Sequence, residues 1–553
     1  MQRDLSRLQQ DIYDVVIIGG GIYGACIAWD ASLRGLTVAL VDQGDFGHAT
    51  SANHHKIIHG GFRYLQHADL PRMRESIRER RILMQIAPHL VSPLPCVIPT
   101  YEDLPQRKWV MWAALKLYDL IGFDRNHHLA PQKWLPRSRV ISRTDCLQLC
   151  PNLDQRGLTG AALFFDAQVY NPDRLTLSFL LSAASRGADL ANYAQVTGFL
   201  RERDGIAGVQ VKDLLSGKFF GVRGRMVVNC SGPWMNRVLQ LVGGPTQPKR
   251  MSFVKAAVLA TRSVIQGCAL GVASRSRGEV GGGRESRYFF ITPWRNISLI
   301  GTLQVRHDGS PEEVAVTEQE LRDFLNEVNT AYPAGLTRQD VYFAYSGLVP
   351  ADDADNQTGG GALTRRYRIL DHERDDGIPG LISVLGVKYT TARDVAAKTI
   401  DLVFRKLGKC PAECQTHATP IYGGAINGFE ELAVLEQQQK SAGISAEAFQ
   451  HLLQTYGSGY RDVLRYCEED QEWSQPVTND SPVIKAEVLH GVRDEMAQKL
   501  TDILLRRTEL ATVGYPGRAC LNTCAAIMAR EAGWDRRRIV KEIEAAEAIL
   551  ATR

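Results

Sequence analysis

Residues 14–42 constrain this chain more than any other stretch. Val15-Val-Ile-Ile18 is a short continuous apolar run, the pattern of a strand buried on both faces. Gly19-Gly20-Gly21-Ile22-Tyr23-Gly24 follows at once and fits G-x-G-x-x-G. A helix is expected from Ile22 to about Leu33, stopped at Gly35, and Leu36-Thr-Val-Ala-Leu-Val41 reads as a second strand that closes on Asp42. Alone, the glycine pattern is weak. Between a strand and a helix, with an acidic residue 18 positions past its last glycine, it is the mark of a dinucleotide-binding β-α-β unit. Gly19 permits the tight turn, Gly21 lets a pyrophosphate approach the backbone, and Gly24 lets helix and strand pack closely. The helix N-terminus offers N–H groups and a positive dipole end to the pyrophosphate. Asp42 is placed to accept hydrogen bonds from ribose hydroxyls.

Later glycines favour FAD over NAD. Met226-Val-Val-Asn-Cys-Ser-Gly232 is a buried strand running into a glycine turn, and Leu381-Ile-Ser-Val-Leu-Gly386 is another. Gly232 and Gly386 suit a second and a third backbone approach to one extended cofactor. An NAD site would ordinarily be finished within one contiguous stretch.

Residues 194–230 alternate apolar and polar positions between turn signals, an antiparallel pattern, and residues 251–306 are again strand-like. After Gly386 a helix is expected to about Leu407. From about residue 428 the chain reads as helical, with Glu-, Gln- and Lys-rich amphipathic stretches. At 553 residues it is too long for one core. The formal net charge of +4 says little about nucleic acid, and the lack of basic residues interleaved with aromatics argues against it. No apolar run of 18 residues suggests a membrane span, and residues 1–14 lack the apolar core of a secretory signal, so a cytoplasmic location is expected. The eleven cysteines include three C-x3-C pairs, at 146/150, 410/414 and 520/524. No histidine cluster accompanies them, so they are read as structural thiols, with no metal site expected.

The segment Ala49-Thr-Ser-Ala-Asn-His-His-Lys-Ile-Ile-His-Gly-Gly-Phe-Arg-Tyr-Leu65 resembles the flavin-proximal stretch of FAD-dependent glycerol-3-phosphate dehydrogenases of the respiratory, quinone-linked type. Further similar pieces follow in order: Asn229-Cys-Ser-Gly-Pro-Trp234, Phe290-Ile-Thr-Pro-Trp294, Ile300-Gly-Thr302, Tyr345-Ser-Gly347, Leu363-Thr-Arg365, Gly386-Val-Lys-Tyr-Thr-Thr391 and Leu504-Leu-Arg-Arg-Thr508. The resemblance spans essentially the whole chain and implies an α/β fold in three parts. A Rossmann-like FAD-binding domain of the glutathione-reductase type would comprise residues 1–90, 150–235 and 350–407. An antiparallel-sheet substrate or cap domain would comprise 91–149 and 236–349, and a helical C-terminal domain 408–553.

The implied chemistry is oxidation of sn-glycerol 3-phosphate, or a similar small phosphorylated polyol, to dihydroxyacetone phosphate, with electrons passed to quinone. By position, Arg63, Tyr64, Arg365 and Lys388 match residues at the substrate. Thr50, Ser51, Lys56, His59, Gly60 and Gly61 match residues lining the flavin, as do Gly386, Lys388, Tyr389 and Thr390. His54 and His55 are left as unassigned loop residues.

The chain also departs from the family pattern. Lys255-Ala-Ala-Val258 stands where the family has Lys-Gly-Ser-His, and Gly347-Leu-Val-Pro350 where it has Gly-Val-Arg-Pro. A candidate base and a phosphate-side arginine are therefore replaced by Val258 and Val349. Arg366 and Arg368 are near enough in sequence to compensate. Two alternatives stay open: the same flavin machinery on a different alcohol or amine, and a catalytically reduced flavoprotein with a binding role.

Residues 107–123 (RKWVMWAALKLYDLIGF) would form a helix with Trp109, Trp112, Ala113, Lys116, Leu120 and Phe123 on one side. Such a stripe is either core or an anchor lying on the inner face of the cytoplasmic membrane, where quinone is reached. A homodimer is a further expected partnership.

Overall fold

The computed structural model describes residues 1–102, 106–203, 205–243, 251–274, 288–351, 366–425, 439 and 443–551. Arg365 lies outside them. Two large sheets organise the chain. In the first, five strands run parallel in the order Leu381–Leu385, Phe219–Asn229, Ile12–Ile18, Val38–Val41, Asp189–Ala191. Arg368–Asp371 adds an antiparallel edge, and the hairpin of Ala194–Glu202 and Gly205–Asp213 extends Phe219–Asn229. Register brings Ile18 beside Val41 and Asn229, and Asn229 beside Ser383. The carboxyl ends of four strands thus come level, which is where an open α/β sheet builds a ligand crevice.

The helix Ile22–Leu33 is buried almost all round, consistent with its lack of a polar face. It packs between this sheet and the helices Pro172–Ser185 and Ala392–Lys406 in one apolar core. Both of the helices that the sequence places at the two ends of the FAD unit, 22–33 and 392–406, form as expected.

The second sheet runs Val341–Ala351, Ser252–Arg262, Ile297–His307, Tyr288–Trp294, Ala269–Ala273, Val91–Tyr101, Leu158–Val169, Ile57–Ile58. It is antiparallel except at one join, where Ala269–Ala273 runs parallel to Val91–Tyr101. Leu158–Val169, in a stretch expected to belong to the FAD-binding part, pairs with Val91–Tyr101 along its whole length.

Beyond residue 443 the described chain is helical, and it docks on the first sheet through buried ion pairs. Both Nη atoms of Arg507 donate to Asp45 at 2.8 Å, and Arg506 Nε donates to the same carboxylate at 2.5 Å. Arg506 also reaches Asp502 at 2.7 Å, and Arg174 forks onto Glu495. Asp45 sits in the turn after Val38–Val41, so Leu504-Leu-Arg-Arg-Thr508 ties the helical domain to the nucleotide end of the sheet. The pair of arginines holds the Asp45 carboxyl far below the usual range despite its complete burial.

The helix Lys108–Ile121 buries Leu115 and Tyr118. Its expected stripe faces outward: Trp109 is 64% exposed, Trp112 55%, Leu120 70% and nearby Phe123 78%. No helix of the described residues is long and apolar enough to cross a membrane.

Candidate active site

A cavity of about 950 Å³ opens along the carboxyl ends of the first sheet and under the second. That is the upper end of the ~300–1,000 Å³ typical of small-molecule sites, room for an extended ligand and a small one beside it. Gly19, Gly21 and Asp42 are on its wall, and so are Arg63, Tyr64 and Lys388.

At the nucleotide end the glycines act by different means. Gly19 takes φ +100°, and a Cβ there would stand 2.6 Å from the Cys230 carbonyl oxygen. Gly24 has no room for a side chain, because its Cβ would collide with the Gly19 carbonyl oxygen. Gly21 has an ordinary φ of −71°, and a Cβ there would come 3.0 Å from Ser51 Oγ, so what counts is the missing side chain. Asp42 Oδ2 accepts from the Gly20 amide at 2.6 Å and Oδ1 from the Gly44 amide at 2.8 Å, and burial pushes its carboxyl up. A carboxylate offers about four acceptor positions, so two remain for ribose hydroxyls. The Ser51 hydroxyl accepts from the Ile22 amide at 2.9 Å, capping the helix, and Thr50 Oγ1 donates to the Leu348 carbonyl at 3.0 Å.

Along the middle, Gly232 and Gly386 lie on the wall. Gly386 is also demanded by its neighbour: a Cβ would strike the ring of Tyr23. Tyr23 OH in turn donates to the Lys388 carbonyl at 2.7 Å and accepts from the Val387 and Lys388 amides. The glycine-turn helix therefore fixes the loop that carries Lys388. Tyr389 donates to the Pro172 carbonyl at 2.9 Å and stacks on His54 at 4.5 Å, and Thr390 is buried on the wall.

Of the histidines with buried ring nitrogens that lack a hydrogen-bond partner among the described residues, three line the cavity: His54 at Nε2, His55 at Nδ1 and His59 at Nδ1. Burial, and then the charge of Lys56, hold His55 down to about 3, and the same two causes put His54 well below its usual value. Burial, and then Lys388 and Arg72, hold His59 down to about 3. Neutral, unsatisfied imidazoles on a cavity wall call for a polar ligand. Together with the glycine turn and Asp42, they fit FAD.

Lys388 is buried enough that its ammonium is pushed down to about 7, with Arg72 the next cause. Lys388 Nζ lies 4.4 Å from the centre of the Tyr64 ring and the Arg72 guanidinium 4.3 Å from it. Arg63 is exposed at the rim. Gly61, at φ +79°, turns the chain so that Tyr64 folds back over it. Val258 and Val349 are on the wall, so both family departures face the ligand space.

Two expected residues are not on this wall. Lys56 is buried away from it, donating to the Ala52 carbonyl at 2.5 Å and lying over the rings of Tyr345 and Trp294 at 4.5 and 5.4 Å. Gly60 serves packing: its amide donates to Asp166 at 2.6 Å, and a side chain would strike Tyr118 and Arg80. Conversely, His54, His55, Asp166 and Arg72 reach the wall without having been assigned to it. Arg366 reaches Asp69 at 3.9 Å across the surface.

Comparison with known proteins agrees with this geometry. A family model described as FAD dependent oxidoreductase matches residues 14–388, and one described as the C-terminal domain of alpha-glycerophosphate oxidase matches residues 414–539. The chain is 34% identical to a glycerol-3-phosphate dehydrogenase of Synechocystis sp., covering 98% of this chain and 97% of that one. It is 30% identical to the mitochondrial glycerol-3-phosphate dehydrogenase of Macaca fascicularis, covering 97% and 73%. The fold matches the crystal structure of the Bacillus halodurans glycerol-3-phosphate dehydrogenase complexed with FAD at a TM-score of 0.77, with 23% identity over 99% of this chain and 96% of that one. The chain belongs to the family of FAD-dependent glycerol-3-phosphate dehydrogenases.

Proposed function

We propose that this protein oxidises sn-glycerol 3-phosphate to dihydroxyacetone phosphate. The observation that carries the reading is the half-buried Lys388 against the Tyr64 ring on the cavity wall, with Arg63 lining the same cavity. Bound FAD supplies the acceptor for the hydride. Gly19, Gly21 and Asp42 would hold its adenosine-diphosphate half, with Gly61, Gly232, Gly386 and Thr390 beside the rest. Thr50 and Ser51 brace the wall there.

The chain's own work is to place the alcohol and take its proton. Lys388, pushed down to about 7, is neutral in much of the protein at neutral pH. Its Nζ then has a lone pair for the proton of the substrate hydroxyl. Val258, where the family has a histidine, has none to offer. Arg63 at the rim, with Arg365 following from the family match, supplies charge for the phosphate. Anaerobic mixing with glycerol 3-phosphate while following flavin absorbance tests the assignment. Absence of bleaching at millimolar substrate would sink it. The apolar faces of Val258 and Val349 would then favour a different alcohol or an amine.

The finer reading is that electrons leave to quinone at a membrane surface. It is supported by the helix Lys108–Ile121, whose Val110, Met111 and Ala114 wall the cavity while Trp109, Trp112 and Leu120 face outward. Tryptophan belts and basic residues favour the headgroup region. Flotation with anionic liposomes tests this. Protein that stays at the bottom of the gradient would remove it.

A further inference from the structure

Five arginines, 72, 74, 78, 80 and 81, lie on the helix Leu70–Ile86. Four are paired with carboxylates: Arg74 and Arg81 with Asp124, Arg78 with Asp394 and Glu79, Arg80 with Asp166. Among the described residues Arg72 has no carboxylate partner. Its guanidinium rests instead against the Tyr64 ring and lines the cavity. The nearest acidic groups are engaged elsewhere. Asp69 caps the helix by accepting from the Arg72 amide at 3.2 Å, and Glu75 reaches Lys398 at 3.3 Å.

Lys388 approaches the same ring, which puts the two cationic centres within about 9 Å of each other. Neither has a counter-charge in hydrogen-bond reach among the described residues. Two half-buried cations that flank one ring and line one cavity repel each other, and an anion bound against them relieves that repulsion. A phosphate dianion has the charge and the acceptor oxygens for it, and a guanidinium can meet two of those oxygens at once. Val349 on the same wall cannot.

Resting on the function proposed above, we infer that Arg72 binds the substrate phosphate and takes over the task of the arginine that position 349 lacks. The helix Leu70–Ile86 therefore supplies part of the specificity for a phosphorylated polyol over the free polyol. Arg72 acts from the first turn of that helix, where the dipole adds to its charge.

The test uses the FAD-loaded protein and its Arg72→Met and Arg72→Lys variants. Flavin reduction under nitrogen gives an apparent Kd and a limiting rate for glycerol 3-phosphate and for glycerol. Flavin absorbance changes report binding of inorganic phosphate alone. In Arg72→Met the apparent Kd for glycerol 3-phosphate should rise by roughly ten- to a hundredfold, as for loss of one charge-assisted contact. The limiting rate should fall by much less, the preference for glycerol 3-phosphate over glycerol should shrink, and phosphate should bind correspondingly more weakly. Arg72→Lys should fall between, since it keeps the charge but loses the planar fork. Unchanged Kd for both glycerol 3-phosphate and phosphate in a variant with full flavin content overturns the inference. If Arg72→Met fails to hold FAD, Arg72→Lys decides by the same two constants. Should the wild type not be reduced by glycerol 3-phosphate, the proposed function falls, and the phosphate titration alone decides whether Arg72 forms an anion site.

Discussion

If Lys388 takes the substrate proton, the rate of flavin reduction must follow its ionisation. The lysine is held down to about 7, by burial first and by the charge of Arg72 next, with Glu75 and Asp69 pulling the other way. Below that pH it is an ammonium and cannot accept a proton, so kcat/KM should climb about tenfold per unit up to pH 7 and level off above it. The substrate's own phosphate loses its second proton near pH 6, which adds a lower step common to all variants. Arg72→Met separates the two. At under about 9 Å and an effective dielectric near 20, one cation disfavours another by roughly 2 kcal/mol; solvent at the half-exposed Arg72 reduces this to about 1 kcal/mol, or a little under one pKa unit. Removing it lets Lys388 keep its proton longer, so the upper midpoint should move to higher pH by that amount. His59, held down to about 3, does not titrate in the window. Stopped-flow reduction under nitrogen from pH 5.5 to 9 measures both profiles, and Lys388→Arg, permanently charged, should lose at least a hundredfold. A midpoint that stays put or moves down in Arg72→Met, or a Lys388→Arg variant within threefold of wild type, would refute Lys388 as the base.

Gly21→Val should abolish FAD retention, because its Cβ would sit 3.0 Å from Ser51 Oγ and its methyls in the pyrophosphate space; flavin released on denaturation measures it. Asp45→Ala takes from Arg507 its carboxylate partner and leaves Arg506 with Asp502 alone, and should cost about 3–5 kcal/mol, read as a fall in the denaturant midpoint; a loss under 1 kcal/mol would show the clamp to be idle. Trp109→Glu with Trp112→Glu should stop flotation with anionic vesicles while leaving folded, yellow protein, and equal flotation would exclude this helix as the anchor. Val258→His together with Val349→Arg should tighten glycerol 3-phosphate binding if those departures weaken the site, and no change in apparent Kd would show that they do not.

What could be read in the sequence was what is local. The strand, turn, helix and strand of residues 14–42 declare themselves because each signal lies within a few residues of the next, and the buried runs ending at Asn229 and Leu385 because continuous apolarity marks a strand covered on both sides. The outward stripe of Lys108–Ile121 was legible as a stripe. Periodicity fixes which residues share a face, not what that face meets. For the same reason Leu158–Val169 gave no hint that its partner would be Val91–Tyr101. Motif matching misplaced Lys56 and Gly60 because a glycine or lysine reads alike whether it fronts a ligand or a neighbour. Lys56 turned to the faces of Trp294 and Tyr345, and Gly60 was small for Tyr118 and Arg80. The clamp of Arg506 and Arg507 on Asp45 spans more than 460 positions, and nothing at either end announces the other.

Arg72 and the helix Lys108–Ile121 show how a cavity can keep its chemistry while its wall changes. The cofactor end depends on backbone: Gly19, Gly24 and Gly386 are set by carbonyl oxygens and by the Tyr23 ring, so substitution there collides at once. The substrate end depends on side-chain charge, which can be delivered from any element that reaches the same space. Val349 sits in the second sheet opposite Val254, and in the inference drawn above a guanidinium from Leu70–Ile86 supplies the charge without any change to a strand. The remaining wall is one helix thick. Val110 and Met111 touch the cavity, and Trp109 and Trp112 touch the outside, so about 10 Å of helix separates the ligand space from the surface. In the reading proposed here, that thinness is what lets one cavity take a charged polyol from water and give its electrons to an acceptor held in lipid.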